Sequence, residues 1–247
     1  MKNMIALGLA MSLTLVSCTE AQLAQALKTA QGIMGSTGVE KLSTEQVAAG
    51  LKEALEKGAA YAARTASATN GYWGNRQIRI PLPPELQEVE SKLRQFGLGK
   101  QVDEFLETMN HGAERAAQEA EPIFVDAIKR ITIQDAWNIL QGEQNAATLY
   151  LKDNTYRRLQ ATFKPHVENA LNRVNATKYY TDVVNAWNRI PGVKKINPNL
   201  ENYVTGKALD GLFFLVAKEE LNIRDNVSAR STELLQKVFD KANWQQG

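Results

Sequence analysis

From Leu42 onward, apolar residues recur at three- and four-residue intervals, the period of helices that bury one face. Val47, Leu51 and Leu55 set the first such face. Ser43 and Gln46 before it have the spacing of a capping box, and Leu42 with Val47 fits a hydrophobic staple. Asn70-Gly71 is a turn signal and is expected to lie beyond the end of this helix. Val102, Phe105, Leu106 and Met109 run on into Ala113, Ala116, Ala117 and Ala120, a small-residue stripe that lets two helices approach closely. Pro122 suits the start of a helix, Thr132 with Asp135 forms another cap pair, and Gly142 is expected to cap the helix carrying Trp137 and Leu140. The pattern predicts a helix over 146–163, broken at Asp153–Thr155 and restarted at Pro165. Tyr179, Val183 and Trp187 mark the next face, and Pro191–Pro198 reads as a loop. Leu200–Leu221 is apolar on most sides through Leu209, Leu212, Phe213, Leu215 and Val216, as expected of a central helix. A last helix is predicted over Ala229–Ala242.

One stretch breaks the helical pattern. Ile78-Arg79-Ile80-Pro81-Leu82-Pro83-Pro84 alternates and is β-branched, yet its prolines deny it the centre of a sheet. It is expected to be an extended strap, or one edge of a small β-hairpin with Gly71–Asn75. The fold class is therefore all-α: a single domain of about eight to ten helices with one Pro-rich strap.

The N-terminus has a different logic. Lys2 precedes an apolar run from Ile5 to Val16, then Ser17 and Cys18. A basic start, a short apolar core and small residues before a cut are the parts of a secretory signal. The run is too short for a membrane span, which needs about 20 apolar residues. A cysteine just after the cut supplies the soft nucleophile that thioether formation with a diacylglycerol requires, so Cys18 is the expected lipidation site. The expected division is a lipoprotein signal peptide over 1–17, a lipidated tether over 18–41 with a frayed helix around Ala21–Ile33, and the helical domain over 42–247. The address is the bacterial cell envelope, facing the periplasm, with membrane contact through the lipid anchor. Thr19 stands where an inner-membrane retention aspartate would be, which favours the outer membrane.

Composition narrows the function classes. Lys and Arg number 29 against 27 Asp and Glu, and loss of Lys2 with the signal takes the net charge from +2 to +1. That balance gives neither the basic footprint of a nucleic-acid binder nor a polybasic membrane patch. Cys18 is the only cysteine, so no disulfide forms within the acylated chain. Two histidines, His111 and His166, lack ligand partners at metal-binding spacing, and neither a metal nor a cofactor is expected. Gly97-Leu98-Gly99-Lys100 falls short of both phosphate-loop motifs and reads as a helix start at Gly99.

Several phrases resemble a bacterial family. They are Asn70-Gly71-Tyr72, Ile78 to Pro83, Gly97-Leu98-Gly99, Met109-Asn110 with Ala113-Glu114, Asp135-Ala136, Ala146 to Tyr150, Tyr203 to Phe213, and Glu219-Glu220 with Ile223-Arg224. In this order, over about Leu42–Phe239, they resemble the family catalogued as domain of unknown function 4197. The resemblance implies a secreted or lipid-anchored, mainly helical protein and no particular reaction. Asn70 stands where the family leads one to expect Asp, and His111-Gly112 where it leads one to expect a basic residue and Ala.

The candidate polar cluster is Asn110, Glu114, Lys207, Asp210, Glu220 and Arg224. Asn110 and Glu114 are one helical turn apart beside the alanine stripe. Lys207 with Asp210 and Glu220 with Arg224 have the spacing of pairs on a shared helix face. Their plainest role is as buried or half-buried ion pairs and caps that fix helix register, because an unpaired buried charge is costly. Three functions stay open. The chain is a non-enzymatic binding or scaffold module for an envelope protein; or a carrier of an apolar ligand such as a lipid, in a pocket lined by the alanine-rich helix and Leu212–Val216; or a hydrolase-type enzyme using Glu114, Asp210 or Glu220 as acid or base.

Overall fold

Ser43 opens the first helix as its spacing predicts. Its hydroxyl accepts from the Gln46 amide, and the Gln46 side chain accepts from the Ser43 amide. The structure, a computed structural model, describes residues 42–244 except 190, 193, 194 and 198, and omits the side chains of residues 179, 183, 186 and 187. The signal, Cys18, the tether with its helix at Ala21–Ile33, and the face of Tyr179, Val183 and Trp187 lie outside the described residues.

The helices in chain order are α1 (Thr44–Ser67), α2 (Gln87–Gln95), α3 (Gly99–Ala117), α4 (Ala120–Lys129), α5 (Ile133–Gln141), α6 (Ala146–Arg173), α7 (Ala176–Asn188), α8 (Leu200–Asp225) and α9 (Glu233–Val238). There is no strand among the described residues. The hairpin alternative is thereby corrected. Residues 78–83 are an extended strap with Ile78, Ile80 and Leu82 buried and Arg79 and Pro81 exposed.

Three long helices carry the core. α8 packs on α1 and α6, and α6 also packs on α3. α1 buries Ala54, Ala59, Ala62, Ala63 and Ala66, so its neighbours α3, α4, α5 and α9 can pack closely around it. α8 is buried through Val204, Ala208, Leu209, Leu212 and Leu215, as its all-round apolar pattern requires. Phe124 meets Phe213 edge-on at 5.7 Å.

Two boundaries differ from the sequence reading. α6 runs unbroken through Asp153–Thr155 and through Pro165. The Thr155 hydroxyl and the Asn154 amide both donate back to carbonyls four residues earlier, satisfying their polar groups within the helix. An interior proline costs about 3 kcal/mol, here set against a continuous buried face through Leu151, Leu159, Phe163, Val167 and Leu171. The C-terminal helix is shorter than predicted. Only Glu233–Val238 is α-helical, with 3₁₀ turns at Val227–Ala229 and Lys241–Trp244. Thr232 caps α9 through the Leu235 amide, which places its start.

Gly112 of α3 sits where a methyl group would lie 2.7 Å from the Ala170 Cβ of α6. Gly58 and Gly206 are helical with nothing within 4 Å of a built Cβ. Gly112→Ala is therefore expected to destabilise by about 1–3 kcal/mol through overpacking. Gly58→Ala and Gly206→Ala are expected to stabilise by about 0.5–1 kcal/mol each, since alanine loses less backbone entropy. Urea unfolding of the three variants reads the signs directly; a stabilised Gly112→Ala would mean that α3 and α6 can separate at no cost.

Candidate functional site

The six polar residues form three pairs with different surroundings. Asn110, fully buried, is the partner the strap lacks in a sheet. Its Oδ1 accepts from the Ile80 amide at 2.8 Å, and its Nδ2 donates to the Ile80 and Leu106 carbonyls. Both backbone groups of Ile80 are thus satisfied by one side chain. One turn on, Glu114 Oε1 accepts from the Tyr72 and Trp73 amides at 3.0 and 3.1 Å. Its Oε2 lies 2.6 Å from His111 Nδ1, and His111 Nε2 lies 3.3 Å from Glu107 Oε1. The turn that Glu114 holds needs Asn70 at φ 60°, a left-handed conformation that Asn tolerates. Gly71 follows because a Cβ there would meet the Thr65 carbonyl at 2.4 Å. Tyr72, also fully buried, donates its hydroxyl to the Ala208 carbonyl of α8. Burial first, and the nearby Glu114 charge second, push its phenol well above the usual range.

Glu220 and Arg224 are buried on α8 and paired at 3.0 Å. Glu220 accepts from the amides of Ala147 and Thr148 and from the Thr148 hydroxyl, at the start of α6. Arg224 donates to the carbonyls of Ile139 and Leu140, at the end of α5. Asn145, the residue before α6, provides no side-chain cap, so Glu220 supplies it from another helix. Arg230 then donates to the Ile223 and Arg224 carbonyls and closes the end of α8.

Lys207 and Asp210 pair at 3.5 Å but are 46% and 57% exposed. The expectation of a buried or half-buried pair fails here, because this face of α8 looks outward beside the strap. With Gln77, Arg79, Pro81 and Phe214 they line a mixed polar and apolar surface depression of about 310 Å³. Arg79 lies over the Trp73 ring at 4.2 Å. The structure thus ties Asn110 and Glu114 to the strap and its turn, ties Glu220 and Arg224 to two helix ends, and leaves Lys207 and Asp210 at the surface.

A sequence-based search for polar groups passes over the most ligand-like feature. An apolar cleft of about 330 Å³ opens between Leu82 of the strap, Leu86, Val89 and Leu93 on and before α2, Leu98 just before α3, Val102 and Phe105 of α3, Val174 in the turn after α6, and Ala176 and Tyr180 at the start of α7. Gln101 is its one amide. The Tyr180 hydroxyl donates to the Asn197 carbonyl instead. α2 has no buried residue, so the cleft is roofed by a helix whose apolar face is only partly covered. The carrier reading placed its pocket between the alanine-rich helix α3 and Leu212–Val216 of α8, where Ala113, Ala116, Ala117, Leu212 and Leu215 are buried in the core; the core between α1 and α8 is filled as well. The space found there, between Leu55, Gly58, Val216 and Phe239, is about 20 Å³, which is room for one water. The only sequence sign of the true cleft was Leu86, Val89 and Leu93 at helical spacing just after the prolines.

A single all-α domain with a strap pinned by buried side chains and an apolar cleft beside it is the class of protein this chain defines. The family model for proteins of unknown function DUF4197 matches residues 41–240, and the chain belongs to that family. No curated protein and no solved structure matches it.

Removing Glu220 leaves Arg224 buried without its partner and strips two amides of their acceptor. Glu220→Ala is expected to cost about 3–5 kcal/mol. Asp210→Ala, on an exposed pair, is expected to stay within about 0.5 kcal/mol of the parent. Urea denaturation separates the two; equal losses would contradict the distinction drawn between these carboxylates.

Proposed function

We propose that this protein is a lipid-anchored cell-envelope protein acting as a non-enzymatic binding module, and that its ligand is an apolar small molecule held under α2. The observation that carries this reading is the apolar cleft of about 330 Å³. Small-molecule sites run from about 300 to 1,000 Å³ and are mostly apolar. An apolar cavity of about 150 Å³ already binds benzene. The polar chemistry points the same way. Glu114 and Glu220 each accept from two backbone amides as well as a side chain, which is the work of a cap.

The N-terminal signal ending at Cys18 supports the envelope address, with the outer membrane favoured by Thr19. No helix among the described residues is long and apolar enough to cross a membrane, which is consistent with an anchor of another kind.

The cleft is tested with N-phenylnaphthylamine, whose fluorescence rises in apolar sites. The mature chain is expected to bind it saturably. Val102→Trp, which fills the cleft from α3, is expected to weaken binding about tenfold or more, while circular dichroism shows the helices retained. Unsaturable binding, or a Val102→Trp variant that binds as well as the parent, would count against the cleft. The anchor is tested separately: Cys18→Ser is expected to abolish acyl labelling and leave the precursor unprocessed, and normal processing of that variant would refute lipidation.

A further inference from the structure

The exposed apolar residues lining the cleft are Val89 of α2 and one residue from each of two turns, α2–α3 and α6–α7. Leu98 from the first and Val174 from the second line the same cleft and are 41% and 40% exposed. Phe96, beside Leu98, is 81% exposed, the most of any large apolar side chain described. Gly97 between them has φ 82°, a left-handed turn that a side chain would strain. The turn therefore depends on glycine at this position, with Phe96 exposed on one side of it and the part-exposed Leu98 on the other.

Cations flank both turns in the sequence, and each of those beside the first turn is paired with a carboxylate. Residues 91–102 contain Lys92, Arg94 and Lys100 and no acidic residue. Residues 172–178 contain Arg173 and Lys178 and again no acidic residue. The acidic partners of the first set, Glu88, Glu90, Asp103 and Glu104, lie farther back along α2 and α3. These pairs are solvent-exposed, and such pairs are weak enough to exchange for another anion. Exposed apolar tips within a cationic collar complement a bilayer surface, with the tips entering the acyl boundary and the cations meeting lipid phosphates. The near-neutral charge of the whole chain conceals this local collar.

We infer that the Phe96–Leu98 turn docks on a phospholipid bilayer and that the cleft behind it takes one acyl chain of a lipid from that surface. This rests on the reading of the cleft as a binding site for an apolar molecule. Leu98 and Val174 both line the cleft and are part-exposed, so in this proposal the acyl chain enters past them from the docked surface. The polar groups a headgroup requires lie outside, on the collar, which matches a cleft with a single amide in its lining.

The test uses the mature chain carrying Cys18→Ser, so that no acyl anchor contributes, and a second form that also carries Phe96→Ser. Phe96 is 81% exposed in the turn and is not among the residues that line the cleft. Each form is floated with vesicles of phosphatidylethanolamine and phosphatidylglycerol, or of phosphatidylcholine alone, and titrated in solution with N-phenylnaphthylamine. Flotation of the parent is expected with the anionic vesicles and to fall with salt. The turn variant is expected to lose about tenfold or more in vesicle binding while its probe affinity stays within about twofold. Photo-crosslinking from a diazirine-bearing acyl chain of phosphatidylglycerol is expected to map to α2 and α3 in the parent. Normal probe binding without vesicle binding, or vesicle binding indifferent to the turn, would overturn the docking inference and leave the cleft reading intact. Absent probe binding would overturn the cleft reading itself. A dimer that the turn substitution dissolves, with no flotation, would show that the patch faces a second copy of the chain and would also overturn the inference.

Discussion

The Glu220–Arg224 pair is the constraint on which the helical body depends. One turn of α8 presents a carboxylate to the start of α6 and a guanidinium to the end of α5. Helix starts carry unpaired amides and partial positive charge, and helix ends carry unpaired carbonyls and partial negative charge. The pair matches both, and its members also satisfy each other. Two charges this deeply buried would otherwise be a liability. The loop between α5 and α6 is thereby fixed at both ends without any hydrogen bond from its own side chains to the α6 amides. The register of α8 against its neighbours follows, and with it the placement of Phe213 against Phe124.

Asn110 and Glu114 act in the same way on a different kind of chain. The strap has strand-like alternation but no strand beside it. Its prolines rule out a regular ladder, and its buried Ile80 still carries an amide and a carbonyl. Asn110 answers both from a helix, and Glu114 gathers the two amides of the preceding turn. His111 and Gly112, where this chain departs from the pattern expected of its relatives, lie between these residues. His111 braces Glu114, and Gly112 lets α3 approach Ala170. The departures are therefore accounted for by packing and by support of a buried carboxylate.

Local signals were legible in the sequence. The Ser43–Gln46 and Thr132–Asp135 capping boxes form as read, and the backbone amide and hydroxyl of Thr132 hold the Asp135 carboxyl below its usual range. Central placement of Leu200–Leu221 was legible because all-round apolarity admits few positions. Partners distant in sequence were not. Nothing near Glu220 announces that its acceptors serve amides of Ala147 and Thr148, and the exposure of Asp210 depends on which side of α8 the strap covers. The unbroken course of α6 through Pro165 was hidden for the same reason: tertiary burial outweighed a local breaker. The cleft escaped notice because it is an absence of packing, and because the helix Gln87–Gln95 that forms its roof was not picked out in the sequence.

Helix α2 buries none of its residues, whereas α1, α6 and α8 are fastened to one another by buried side chains and caps. Mutational tolerance is consequently divided along the chain. Substitutions along Gln87–Gln95 reach the core through Leu93, which packs against it, and otherwise fall on the wall of the cleft and the surface. Under the binding role proposed above, ligand preference can change through this one short helix while the scaffold is kept, much as a lock is rekeyed by changing its pins and keeping its housing.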